Sequence, residues 1–161
     1  MRRNPTKSRG FSLIELVIVV VIIGIIAAIA IPRMSRGSQG AADSALRGDL
    51  SVLRSAIDLY NTEHQKFPDG TTIATQLTSY TDASGATSAT QDTTHIYGPY
   101  LRTVPIVPVG ALKGDKTNGP KIGTTTGTPD AGFGWLYDPN AGNITANTAA
   151  SDASGTAYNT Y

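Results

Sequence analysis

The sequence predicts an α+β fold: a long N-terminal helix, transmembrane in its first half and amphipathic in its second, packed against a small C-terminal antiparallel β-sheet. Three observations predict it. Residues 16–31 carry no charge and no polar side chain, and counted from Phe11 the apolar run is broken only by Ser12, Glu15 and Gly24. That run matches the roughly 20 residues a helix needs to cross a bilayer core. Next, Leu46, Leu50, Leu53, Ile57 and Tyr60 step by four, three, four and three, which is one apolar stripe of an amphipathic helix. Far downstream, residues 133–137 and 143–147 flank Asp138-Pro139-Asn140-Ala141-Gly142, strand patterns around turn chemistry.

The elements divide the chain into a basic leader (residues 1–10), a membrane helix (11–32), an amphipathic helix (33–64) and a head (65–161). Arg2, Arg3, Lys7 and Arg9 precede the apolar run, and no acid lies among them. Thirteen basic residues less these four leave nine against twelve acids, so the chain beyond the leader is at about −3. The positive-inside rule then keeps the leader in the cytoplasm and sends the head across. Glu15 is the anomaly, because a charge at hydrocarbon depth costs at least about 2.5 kcal/mol at the centre of a span and less near its end. It calls for a partner. A secretory signal peptide fits less well, since its apolar core runs to about 7–15 residues and ends in a small-residue cleavage site. A plain membrane anchor fits the length but has no need of Glu15.

Gly37 and Gly40, with Ser35 and Ser38, weaken the helix after Pro32, at about 1 kcal/mol per glycine. The strong pattern from Ala41 onward predicts that it continues, giving helix from Leu13 to about Glu63, roughly 75 Å of it. Arg54 and Asp58, four apart, are expected to pair on its outer side. Phe67-Pro68-Asp69-Gly70 closes it. Residues 71–80 predict a short helix capped by Thr71 or Thr72, with Ile73, Leu77 and Tyr80 on one face. Residues 81–94 predict a polar surface loop, and residues 97–109, punctuated by Pro99, Pro105 and Pro108, an extended segment packed on the long helix. Residues 110–132 predict a long polar loop, Trp135 an anchor between sheet and helix, and residues 149–160 a loose tail. No internal repeat is expected.

Little here points to catalysis. There are no cysteines, which excludes a disulfide framework and thiol chemistry. His64 and His95 are far apart and predicted to be solvated side chains. There is no phosphate-binding glycine loop and no nucleophile elbow. The net charge of +1 argues for no nucleic-acid field.

Gly10-Phe11-Ser12-Leu13-Ile14-Glu15 resembles the processing site of type IV pilins and of the pseudopilins of type II secretion. The resemblance implies that a prepilin peptidase cuts after Gly10 and N-methylates Phe11. It implies that Glu15, five places into the mature chain, pairs with Phe11 of a neighbouring subunit, and that Gly24 and Pro32 mark a segment that loosens on assembly. Leu59-Tyr60 followed by Phe67-Pro68, and Tyr100-Leu101-Arg102 followed by spaced prolines, are similar to the major pseudopilins. The implied role is a helical homopolymer rooted in the bacterial inner membrane. It is in the bilayer before assembly, its head is periplasmic, and an assembly platform and minor pseudopilins are its partners. A surface pilin for adhesion, motility or DNA uptake is the alternative, and a non-polymerising anchored module the remote one. No cofactor is required. Major pseudopilins carry calcium near the C-terminus; the candidates here are Asp130, Asp138 and Asp152, which with Asp115 are spaced apart, a departure from the family's acidic run.

Overall fold

A computed structural model describes residues 10–124 and 129–161, with backbone only at 31–36. The basic leader and the side chain of Pro32 lie outside the described residues. The helix α1 runs Leu13–His64 as one element of 52 residues. The backbone is helical through Gly24, Pro32, Gly37 and Gly40. Two compact units divide the chain, Met1–Ser38 and Gln39–Tyr161.

In the first unit the large apolar side chains from Phe11 to Ile29 are exposed. In the second, the stripe behaves as its spacing predicts. Leu46, Leu50, Leu53, Ile57 and Tyr60 are buried in one cluster with Val104, Val107, Trp135, Tyr137 and Ile144. Burial of this kind, at about 25 cal/mol per Å² of apolar surface, is what holds the head to the helix. The extended segment joins the same cluster, and Trp135 donates its Nε1–H to the Pro105 carbonyl at 2.8 Å.

Helix α2 is Ile73–Thr78, with Ile73 and Leu77 buried; Tyr80 falls beyond it, in a strand. Thr72 does not cap it through its side chain. The Asp69 carbonyl accepts from the Thr72 and Ile73 amides instead, and Gln76 Oε1 accepts from the Asp69 amide.

Three expectations about the head are corrected. Residues 81–94 hold structure: strand β1, Tyr80–Thr81, pairs antiparallel with β2, Thr87–Ser88. Within the expected polar loop lies β3, Ile122–Thr124, paired in parallel with β4, Trp135–Asp138, which pairs antiparallel with β5, Asn143–Ala146. The sheet is therefore mixed, in order β3-β4-β5. Gly123 permits it, because the Phe133 ring occupies the space a Cβ would fill. The tail is no loose end: Ser151 bridges Ala157, and a 3-10 turn at Tyr158–Thr160 buries Tyr158. Tyr158 donates to Asp43 Oδ1 and Arg47 donates to the Tyr161 hydroxyl, so two tyrosines tie this segment to α1. Arg54 is drawn into the same contact. It donates to the Ile144 and Tyr161 carbonyls, which is why no pairing with Asp58 forms.

A repeat also emerges. Asp82-Ala83-Ser84-Gly85 and Asp152-Ala153-Ser154-Gly155 share a sequence and a turn. Asp82 Oδ1 accepts from the Ser84 amide, the Ser84 hydroxyl and the Ala86 amide; Asp152 Oδ1 accepts from the Ser154 amide, the Ser154 hydroxyl and the Thr156 amide. Gly85 and Gly155 sit at φ +86° and +87°.

Candidate functional site

Gly10 and Phe11 precede α1, and Phe11 is 87% exposed. The Gly10–Phe11 bond is therefore outside the helix. Ser12 stands immediately before α1. Its carbonyl accepts the Leu16 amide at 3.2 Å, while its own amide donates to Glu15 Oε2 at 2.8 Å. Glu15 lies three residues beyond Ser12, so the pair forms one half of a capping box. A carboxylate in the first turn also meets the positive end of the helix dipole.

Phe11, Glu15, Leu16 and Val19 line a concavity of about 240 Å³ whose walls are otherwise apolar. Glu15 Oε2 is engaged by the Ser12 amide of its own chain. Sequence reasoning singled out Gly10, Phe11 and Glu15 but passed over Ser12. The signal was legible as Ser12-Leu13-Ile14-Glu15, a serine followed three residues later by glutamate before an apolar run. Gly24 lies in the same helix with no atom near the position of a Cβ. Leu13–Ala30, with mean hydropathy 3.2, is long and apolar enough to span a membrane, and none of it is buried.

Residues 5–31 match the family model for the prokaryotic N-terminal methylation motif. The motif supports a type IV pilin-like protein. The motif and the apolar span together support a membrane-anchored protein. No curated protein and no solved structure matches it. The motif covers the N-terminal site of this pilin-like chain and leaves the head to be read from its own geometry.

The calcium candidates of the head are not brought together. Asp130 accepts from the Ala111 and Ala149 amides at 3.1 and 3.2 Å; burial raises its pKa, but these donors and Thr148 outweigh it, for a net lowering. Asp138 accepts from the Asn140 amide in the β4–β5 turn. Asp152 donors, first the Tyr161 hydroxyl and then Ser154, hold its carboxyl well below the usual range. Among the described residues no three acids or histidines group as a metal site.

The histidines are not free in solvent as expected. His64 stacks on Tyr60 at 3.9 Å, and its ring nitrogens face the Tyr60 and Asp82 carbonyls. His95 Nδ1 lies 2.9 Å from Asp92. Tyr60 is fully buried, its hydroxyl is without a partner, and burial pushes its pKa to about 12.

Proposed function

We propose that this chain is a structural, non-catalytic subunit of an inner-membrane-rooted filament, most closely the major pseudopilin of a type II secretion system. The observation that carries the reading is the exposed apolar helix headed by Gly10, Phe11 and a capped Glu15. A helix greasy on all sides needs lipid before assembly and other helices after it. Prepilin peptidase removes residues 1–10 and methylates Phe11. The amine so created docks against Glu15 of a neighbour, where water does not screen the pair. Gly24 and Pro32 lower the cost of local unwinding once neighbours cover the backbone. The absence of cysteines and the prolines of residues 97–109 support the secretion reading over a surface pilus. The dispersal of Asp130, Asp138 and Asp152 is the observation that favours the surface filament instead.

The test is intact mass of the protein purified from its own membrane. The expected species begins at Phe11 and carries one added methyl group. A product that retains residues 1–10 with active peptidase present overturns the reading. Deleting the chain then separates the two filaments: loss of exported proteins supports secretion, loss of surface fibres the pilus.

A further inference from the structure

The stripe of α1 that builds the core has a neighbour pointing the other way. Val52, Ser55, Ala56 and Leu59 of α1, with Tyr100 and Leu101, line a groove of about 280 Å³. Val52 and Leu59 are 52% and 50% exposed, and the small Ser55 and Ala56 between them let another chain approach the helix closely. One turn before Val52 on the same side stands Asp49. It is half-buried, and among the described residues it has no hydrogen-bond or ion-pair partner. Burial alone pushes its carboxyl above the ordinary range. A partly desolvated, unpaired carboxylate is costly until a cation reaches it.

The chain carries cations in the matching condition. Lys113 and Lys116 are exposed in the loop between Val109 and β3, and neither has a partner among the described residues. Asp115 between them spends its carboxylate on the Thr117 and Asn118 amides, so the lysines face outward uncompensated. Neither lysine lines the groove of its own copy. A contact between two different surfaces repeats head to tail and extends without closing.

We infer that this groove, together with Asp49 one helical turn before Val52, receives the Lys113–Lys116 loop of a second copy of this chain. The inference rests on the filament reading and names one of its lateral contacts. Apolar area at Val52 and Leu59 supplies adhesion, while the Asp49–lysine pair sets register and rejects misaligned copies.

The test uses the full chain, co-expressed with its peptidase, with filament yield measured after shearing at matched membrane levels. Asp49→Lys alone and Lys113→Asp with Lys116→Asp alone are each expected to lower yield about tenfold, as like charges meet. The combined variant is expected to return to within about twofold of the parent. Asp49→Asn keeps the side-chain shape, so a fall in its yield is not a folding effect. Because the chain has no cysteine, Val52→Cys with Lys116→Cys should give an intermolecular disulfide ladder that neither single variant gives. Parent filaments of normal yield, with swaps that are silent or unrescued and no ladder, overturn the inference and leave the filament reading standing. A parent chain that is cleaved and yet never polymerises overturns both.

Discussion

At the scale of the residue, the two Asp-Ala-Ser-Gly turns make a controlled comparison. Gly85 and Gly155 share a left-handed backbone, so alanine at either position carries the same backbone penalty of about 1–2 kcal/mol. Their surroundings differ. A Cβ at Gly155 meets nothing within 4 Å, whereas at Gly85 it lies 2.5 Å from the buried Tyr60 hydroxyl and 3.0 Å from Gln76 Nε2. Gly85→Ala is therefore expected to destabilise the head by clearly more than Gly155→Ala, which stays near the backbone figure. Denaturant unfolding of the two full-length variants in detergent checks it; equal losses would show that Tyr60 has room to move. Neither turn stood out in the sequence, because serine, alanine and glycine are common in every loop of this chain. Their shared role became visible only once each aspartate was seen gathering the same three donors.

At the scale of the element, the turns at residues 82–86, 92–95 and 152–156 are tied by aspartate carboxylates, and that makes them sensitive to acid. The Asp92 carboxyl is held at about 2, first by the His95 amide, then by the Thr94 amide and the His95 ring. A depressed carboxyl contributes its stabilisation in full above its unfolded value of about 3.9, and loses it as pH falls through the folded value. The Thr94 and His95 amides are expected to shift with a midpoint near 2. A midpoint at the ordinary aspartate value would mean that these bonds do not persist in solution. Asp152 behaves in the same direction, so the 151–157 bridge should also loosen in strong acid while the core around Leu53 and Trp135 does not.

At the scale of the whole molecule, one helix serves two units with opposite surfaces. From Phe11 to Ile29 the large apolar side chains are exposed; after Gln39 the helix lends one stripe to a core. Glu15 is the only acid in the first unit's apolar run. Glu15→Ala removes the Ser12 cap contact. It also makes the span more apolar, so insertion and cleavage should persist. On the proposed filament reading, yield at matched membrane levels should collapse, because no carboxylate is left to meet a neighbour's amine. Normal filaments from this variant would show that the register is set elsewhere, in contacts such as those of the groove and Asp49.

Periodicity and motif determined a good deal by themselves. The span, the continuous helix to His64, the core stripe and the β4–β5 hairpin all follow from local spacing, since a period of 3.6 or 2 is written into neighbouring residues. The Gly10–Glu15 motif is equally local. Tertiary structure alone decided the rest. Strand β3 forms because Gly123 lets Phe133 lie across it, and the final segment is ordered because Tyr158 and Tyr161 reach Asp43 and Arg47, more than a hundred residues away. Arg54 leaves Asp58 for two distant carbonyls, and His64 leaves water for Tyr60 and Asp82. In each case the partner is remote along the chain, and no local pattern can say which polar group will be nearest once the core has closed.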